Sequence, residues 1–195
     1  MRSGPPPRLP PVARGQRIGL FGGSFNPPHE GHLLVAETAL RKLRLHQVWW
    51  LVTPGNPLKE NRDLPPLEQR MAECAALTRD PRMVVTGIEA GIGTAFTQQT
   101  VAYLAQRLPS VRFVWIMGAD SMIGFHRWQR WNAIARAVPI AVVDRPGATL
   151  QAVASRSGQA LARVRSAAWT RPLIGRTLST RKDARCRSPL PASRN

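Results

Sequence analysis

The sequence predicts an α/β domain in which a parallel β-sheet carries helices on both faces. Strand-like and helix-like segments alternate along the chain, which is typical of parallel sheets. The strand-like segments are apolar almost throughout, as in VRFVWIM at 111–117, which indicates burial on both faces. Glycine or polar residues follow several of them, at 22–32, 53–59 and 118–120, where sheets of this kind bind ligands.

The individual elements follow from these runs. Strands are predicted at 17–22, 47–53, 82–86, 111–117 and 138–144, and helices at 30–44, 66–79, 97–108 and 129–137. A further helix is compatible with residues 151–166. We expect three parts: a flexible basic leader at 1–15, one domain at 16–168 and a divergent basic tail at 169–195.

Composition restricts the classes of protein to consider. The chain has 195 residues, of which 43% are hydrophobic, enough for one domain with a buried core. No apolar run reaches the roughly 18 residues that a membrane helix needs, and residues 1–16 lack the apolar segment of a secretory signal. Cys74 and Cys186 form neither a metal-binding pattern nor a disulfide framework. These features predict a cytoplasmic protein that does not associate with membranes.

The net charge of +17 is concentrated at the two ends. Residues 1–17 carry four arginines and no acid, and residues 151–195 carry ten basic residues and one acid, so +4 remains for 18–150. Such ends could bind nucleic acid or another polyanion. Aromatic residues that would stack on bases are not interspersed among these charges, which favours poorly ordered ends without a nucleic-acid partner.

The segment at 22–32, GGSFNPPHEGH, is the most informative one in the chain. It joins a predicted strand to a predicted helix through a glycine-rich turn, and helix N-termini attract anions through their free amides and dipole. His29 and His32 lie three residues apart at the helix start and could supply hydrogen-bond donors to a phosphoanhydride. Metal ligation or simple surface exposure are the alternatives for this pair.

This segment resembles the signature of the nucleotidylyltransferase superfamily, whose core is His-x-Gly-His. Its extended form resembles that of bacterial nicotinate-nucleotide adenylyltransferases. Further segments of the chain are similar to this family: VWWLVTPGNPLK at 48–59, FVWIMGADS at 113–121, FHRW at 125–128 and, more weakly, AFTQQT at 95–100. The resemblance spans about residues 16–147 and implies a Rossmann-like, doubly wound sheet with strand order 3-2-1-4-5.

The resemblance also implies roles for individual residues. The ATP-binding residues would be Gly22, Gly23, Ser24, Phe25, His29, His32, Gly118, Asp120, Ser179 and Thr180, and His29 and His32 would be catalytic. Asp120 could instead act as a helix N-cap. The residues that bind the second substrate would be Lys59, Phe96, Thr97 and Trp128, of which Trp128 would stack on a pyridine ring. Without the resemblance, Trp128 could be a core residue and Lys59 a solvated surface cation.

The reaction implied is adenylyl transfer from ATP to nicotinate mononucleotide, giving deamido-NAD and pyrophosphate in NAD biosynthesis. Mg²⁺ would be bound mainly through the ATP phosphates, without a metal site on the protein. Alternatives are a related adenylyltransferase acting on nicotinamide mononucleotide or pantetheine phosphate, a polyanion-binding or nucleic-acid-binding protein, and an inactive relative.

Three departures from the family pattern stand out. Asn26 replaces the usual Asp, and Gln99 replaces an acid. At 177–180 the chain reads TLST where the family has Ile-Ser-Ser-Thr, and Asp183 stands where an Arg is expected, although Arg181 or Arg185 could substitute. We therefore expect an altered tail, through a frameshift or divergence, that could reduce activity.

Overall fold

A computed structural model describes residues 7–55, 62–144, 149–162 and 176–178. Within these ranges the chain forms one parallel sheet of order β3-β2-β1-β4-β5-β6. Its strands are β1 (Arg17–Gly23), β2 (Gln47–Val52), β3 (Met83–Thr86), β4 (Arg112–Gly118), β5 (Ile140–Val143) and β6 (Arg176–Leu178). The order 3-2-1-4-5 expected for the first five strands is confirmed. The short sixth strand was not predicted and lies in the segment assigned to the tail.

Helices pack around this sheet. They are α1 (Glu30–Lys42), α2 (Leu67–Leu77), α3 (Ile88–Ile92), α4 (Thr97–Arg107), α5 (Ala119–Gly124), α6 (Trp131–Ala137), α7 (Thr149–Ala154) and α8 (Arg156–Ala160), with a 3-10 turn at Phe125–Arg127. The four predicted helices are present with slightly shorter bounds, whereas α3 and α5 were not predicted. Of the region 151–166, compatible with a further helix, the structure describes 151–162. The end of α7 and all of α8 lie there, separated at Ser155, whose hydroxyl caps α8 by accepting from Gly158 N.

Two hydrophobic layers cover the sheet, one on each face. Successive side chains of a strand point to opposite faces, so Trp49 packs in the layer that contains α4 and Trp50 in the layer that contains α1. Both rings are fully buried. This double burial explains the continuous apolar runs of the central strands.

The strand order places a cleft between β1 and β4. From β1 the chain leaves through α1 toward β2 on one side, whereas β4 lies on the other side of β1. The connections after β1 and β4 therefore diverge, and such a switch point is where parallel sheets bind ligands. The segments 22–32 and 118–129 meet there.

Residues 7–15, assigned by sequence to the leader, contact the domain. Leu9 and Val12 pack against the α4-side layer. Gly15 N donates to Ser110 O at 2.8 Å. These contacts join this segment to the body of the domain just before β1.

In the part of the chain that the structure describes, none of the helices combines the length and apolar character needed to cross a membrane.

Candidate active site

A cleft of about 850 Å³ opens at the carboxyl ends of β1 and β4. Its walls come from 21–32, from Thr53 and Gly55, from 95–97 and from 118–129. The structure brings together here all the sequence-predicted site residues that it describes: Gly22, Gly23, Ser24, Phe25, His29, His32, Phe96, Thr97, Gly118, Asp120 and Trp128. Lys59, Ser179 and Thr180 lie outside the described residues.

His29 and His32 cap the N-terminus of α1 reciprocally. Gly31 N donates to His29 Nδ1 at 3.1 Å, and His29 N donates to His32 Nδ1 at 3.3 Å. The two ring centroids are 3.8 Å apart. In a neutral imidazole, one nitrogen accepts and the other carries the proton. Because each Nδ1 accepts from the backbone, each Nε2 carries the proton and is a hydrogen-bond donor.

The rings of Phe21 and Phe25 pack against the imidazole of His32. The ring of Phe25 meets it edge to face at 5.1 Å, and the ring of Phe21 lies 6.2 Å from it. Phe25 is 2% exposed and also packs on Trp50. The His32 imidazole thus lies against buried aromatic rings, which limit how far it can move when a ligand enters.

Gly22 and Gly23, the last two residues of β1, leave room for neighbouring aromatic rings because they carry no side chains. A Cβ atom on Gly22 would lie 2.6 Å from Trp115 Cη2, and one on Gly23 would lie 3.2 Å from the Phe25 ring. Phe25 itself has φ +47°, a left-handed conformation that is uncommon for a residue with a side chain. The loop is therefore held in a specific shape by its surroundings.

Asp120 lies in the first turn of α5, next to the end of β4. The N-cap of this helix is Gly118, so the alternative assignment of Asp120 as the N-cap is wrong. Its carboxylate is exposed and faces the same cleft as the histidines. A carboxylate at this position can accept hydrogen bonds from ribose hydroxyls or an amino group.

Trp128 is half-buried and lies between the hydrophobic core and the cleft. Its ring packs edge to face on Phe125 at 5.3 Å and on Trp115 at 6.0 Å, and it also lines the cleft. Trp131, three residues on, packs on Phe125 at 5.7 Å and does not line the cleft. The two indoles therefore have different surroundings although both contact the same phenylalanine.

Helix α4 begins at the cleft wall. Phe96 is its N-cap and offers no side-chain hydrogen bond to the helix, so within the described ranges no N-cap side chain occupies the first-turn amides, which begin at Thr97. Gln99, which replaces an acid of the family pattern, hydrogen-bonds the Thr94 hydroxyl, and Phe96 N donates to that same hydroxyl at 3.0 Å. Gln99 thus takes part in a side-chain contact that shapes the helix start.

Sequence reasoning missed three residues at or below the cleft: Arg70, Glu89 and Arg127. Glu89 is 4% exposed and lines the cleft, and Thr100 Oγ1 donates to its Oε1 at 3.0 Å. Burial raises the pKa of Glu89, and hydrogen bonds with Thr53 and Thr100 partly oppose this. Arg127 is an exposed cation on the cleft wall.

The position of Arg70 in the sequence could have indicated its structural importance. It shares the buried face of α2 with Cys74, four residues on. Charged residues are almost never fully buried without hydrogen-bonding partners, so a guanidinium on the apolar stripe of a helix indicates a structural task.

Comparisons with known proteins identify the family of this chain. The sequence model of the family described as cytidylyltransferase-like matches residues 20–183. A probable nicotinate-nucleotide adenylyltransferase of Methylorubrum extorquens is 58% identical over 149 residues, which are 76% of this chain and 80% of that protein. Its counterpart in Brucella abortus is 50% identical over 161 residues, 83% of each chain.

Solved structures share the fold at lower identity. The nicotinic acid mononucleotide adenylyltransferase of Plasmodium falciparum, complexed with NaAD, superposes with a TM-score of 0.61 at 15% identity, over 68% of this chain and 66% of that one. A putative nicotinate-nucleotide adenylyltransferase from Vibrio parahaemolyticus gives 0.56 at 18% identity, over 69% and 77%. The high identity to the curated relatives over most of their length, together with the family match, shows that this chain belongs to the cytidylyltransferase-like family and, within it, to the nicotinate-nucleotide adenylyltransferases.

Proposed function

We propose that this protein transfers the adenylyl group of ATP to nicotinate mononucleotide, forming deamido-NAD and pyrophosphate in NAD biosynthesis. One observation carries the proposal. A single cleft is lined by a glycine-rich loop with two imidazole donors at a helix start, and also by the aromatic side chains of Phe96 and Trp128. The cleft therefore offers one surface suited to phosphates and another suited to a flat ring.

The loop and the start of α1 would bind the triphosphate. The backbone of 22–25, the α1 amides and the two Nε2–H groups are all donors, and donors aimed at developing negative charge lower the barrier of phosphoryl-group chemistry. In this assignment Gly118 and Asp120 contact the adenosine. Ser179 and Thr180 would contact the phosphates from the tail.

The part of the cleft lined by Phe96, Thr97 and Trp128 would bind the mononucleotide. Trp128 presents an indole to the cleft and would stack on the pyridine ring. The amides at the start of α4, beside Phe96 and Thr97, would bind the nicotinate carboxylate. Lys59 would add a point charge for the phosphate of this substrate.

The chemistry is an in-line displacement. An oxygen of the mononucleotide 5′-phosphate attacks the α-phosphorus of ATP, and the bond from that phosphorus to the bridging oxygen of pyrophosphate breaks. The attacking phosphate is already ionised at neutral pH, so the step needs no protein nucleophile and no covalent enzyme intermediate. Catalysis then comes from alignment of the two phosphates and from stabilisation of the departing charge.

We propose Mg²⁺ as the cofactor of this reaction. Among the described residues, no group of three or more His, Cys, Asp or Glu side chains is placed to hold a metal ion. The donors around the cleft are mostly amides and imidazole N–H groups, a set that fits an ion carried by the ATP phosphates and water. When bound, the ion would offset the charge of the triphosphate.

A pyrophosphate-release assay tests the substrate assignment. ATP is offered with nicotinate mononucleotide, nicotinamide mononucleotide or pantetheine phosphate in turn. We expect turnover to be highest with the acid mononucleotide. Higher turnover with nicotinamide mononucleotide or pantetheine phosphate would identify that compound as the substrate. No turnover with any of the three would support an inactive relative with an altered tail.

The basic ends offer a second candidate function, the binding of nucleic acid or another polyanion. Full-length protein is compared with a variant in which Arg2, Arg8 and Arg14 are replaced by Gln. RNA binding that is weak and equal in the two proteins would support the enzyme alternative. In that case the domain at 16–168 is catalytic, and the basic leader and tail have no nucleic-acid partner. We also propose a cytoplasmic location, consistent with the free buried thiol of Cys74.

A further inference from the structure

Arg70 is a buried cation directly below the phosphate-binding loop. It is 1% exposed, although it does not line the cleft. Its Nη1 donates to Ser24 O at 2.8 Å and to Thr53 O at 2.9 Å, and its Nε donates to Pro65 O at 2.9 Å. These three carbonyls belong to the loop after β1, the end of β2 and the segment before α2. One guanidinium therefore joins three separate parts of the chain.

The charge of Arg70 is solvated by carbonyl groups. Within the described ranges no carboxylate forms a salt bridge with it, and burial lowers its pKa. Burying a guanidinium costs several kcal/mol unless good hydrogen bonds compensate. Apolar residues of similar volume stabilise a core at least as well as buried ions. The arrangement therefore indicates a requirement for the shape of the loop, beyond the packing of α2.

The bond to Ser24 O orients one particular peptide group. The Ser24–Phe25 peptide is trans, because the only cis bond in the described part of the chain is Asn26–Pro27. In a planar trans peptide the C=O and the next N–H point in opposite directions. Since the Ser24 carbonyl is turned to Arg70, below the cleft, the Phe25 N–H is turned toward the cleft that both residues line.

The conformation of Phe25 needs such support. Its φ of +47° is unfavourable for a residue with a side chain and persists only where the surroundings enforce it. In the described ranges, no hydrogen bond from Phe25 N to another residue is present. The amide is thus available to an anion, and the bond from Arg70 stabilises the peptide orientation that exposes it.

Thr53 makes the arrangement rigid. Its N–H donates to Gly23 O at 3.0 Å, and its carbonyl accepts from Arg70. Thr53, just after β2, is therefore bonded directly to Gly23 at the end of β1 and, through the guanidinium, to Ser24 in the loop. A rotation of the Ser24–Phe25 peptide would break the Ser24 bond while Thr53 kept the guanidinium in place.

We propose that Arg70 is a positioning residue for ATP: it holds the Ser24–Phe25 peptide with its N–H toward the cleft, where that amide binds a phosphate of the nucleotide. That the bound anion is a phosphate of ATP rests on the proposed function. The proposal assigns Arg70 to the ATP half of the site and leaves the mononucleotide half, at Trp128 and α4, independent of it.

The main test compares Arg70→Lys with Arg70→Met. The lysine keeps the charge but cannot bond three carbonyls in one plane, and the methionine fills the space without donors. ATP and nicotinate mononucleotide are titrated separately by calorimetry, and unfolding temperatures are recorded. We expect ATP affinity to fall about tenfold or more in both variants, as for the loss of charge-assisted hydrogen bonds, and mononucleotide affinity to stay within about threefold.

A matched control is Arg82→Lys. Arg82 is an exposed arginine that bonds Asp80 at 2.6 Å, away from the cleft. We expect it to bind both ligands as the wild type does. Wild-type ATP affinity in both Arg70 variants would overturn the proposal, and so would an equal loss of affinity for both ligands.

A measurement on the wild type covers the case in which neither variant folds. In protein labelled with ¹⁵N-phenylalanine, we expect saturating ATP to slow hydrogen exchange at the Phe25 amide. No change at that amide would overturn the proposal. If the Arg70 variants lose ATP affinity as expected but the wild type releases no pyrophosphate with any mononucleotide, the proposed function fails while the role of Arg70 stands.

Discussion

Gly22 lies against the six-membered ring of Trp115, so closely that a methyl group on Gly22 would come within 2.6 Å of Cη2 and 2.9 Å of Cζ2. Trp115 is 1% exposed and also packs on Trp128. The end of β1, where the candidate phosphate-binding loop begins, is therefore in direct contact with the Trp115 indole of β4. Any side chain at position 22 must displace that ring, and with it the packing of Trp128 at the cleft.

Gly22→Ala should therefore destabilise the fold. Adding a methyl group to a closely packed site costs about 1–3 kcal/mol, and the displaced Trp115 should also weaken ligand binding. Chemical denaturation gives the loss of free energy of unfolding. Gly124→Ala is the control, because its Cβ would be 3.7 Å from the nearest atom, on Arg127, and alanine favours the helical conformation of α5. Equal midpoints for Gly22→Ala and the wild type would contradict the close contact.

Substitutions at His32 can separate its capping role from its chemical role. In His32→Asn the new amide oxygen would lie near the present Nδ1 and so preserve the bond from His29 N, but the shorter side chain supplies no donor at the position of Nε2. We expect His32→Asn to retain the unfolding temperature and to lose about 10²–10³ in kcat, the effect of removing one preorganised donor.

His32→Gln makes the complementary change. The amide N–H₂ of the longer side chain reaches toward the position of Nε2, but its oxygen no longer accepts from His29 N. We expect partial activity with a lower unfolding temperature. Near-normal turnover in His32→Asn, measured by pyrophosphate release, would exclude a role of His32 in the chemical step.

Trp128→Ala and Trp131→Ala form a matched pair. Both indoles pack on Phe125, but only Trp128 lines the cleft. Loss of a stacking platform costs about 1–3 kcal/mol per base, so Trp128→Ala should weaken mononucleotide binding well beyond ATP binding in calorimetric titrations. Trp131→Ala should lower stability and leave both affinities close to normal. Equal losses for the two ligands in Trp128→Ala would indicate a purely structural indole.

Glu89 should make stability depend on pH. Because burial raises the pKa of this carboxyl in the folded state, folding favours its protonated form. The folded protein then binds more protons than the unfolded chain between the two pKa values, so the contribution of Glu89 to stability is present at low pH and is lost as pH rises through the folded pKa.

Glu89→Gln removes this dependence while keeping an acceptor for Thr100. The difference in unfolding temperature between Glu89→Gln and the wild type should be small in acid and should grow in favour of the variant as pH rises. Thermal scans at pH values from about 5 to about 8 measure it. A difference that stays constant across this range would mean that Glu89 is ionised in the fold throughout.

Most of the fold could be predicted because its signals are local. The five main strands are continuous apolar runs, and the structure places their ends within two residues of the prediction or closer. Helices α3 and α5 contain five and six residues, too few for a helical period to show. The three residues of β6 form a strand by pairing with the edge of β5, which no property of residues 176–178 alone would indicate.

The site likewise has a part that could be predicted from local sequence and a part that could not. The loop from Gly22 to His32 could be recognised because its glycines, its helix start and its histidines are contiguous. Arg70 could not be connected with it, because 46 positions separate Arg70 from Ser24 and only the packing of α2 under the loop brings them together. Glu89 and Thr100 likewise meet across α3 and α4.

The sequence by itself determined the alternation of strands and helices, the phosphate-binding segment and the aromatic residue types of the cleft, since each depends on neighbours along the chain. Only the tertiary structure decided which residues support that segment from below and which of two neighbouring tryptophans faces the cleft. Those features depend on contacts between distant parts of the chain, and such contacts exist only once the sheet has aligned the carboxyl ends of β1, β2 and β4.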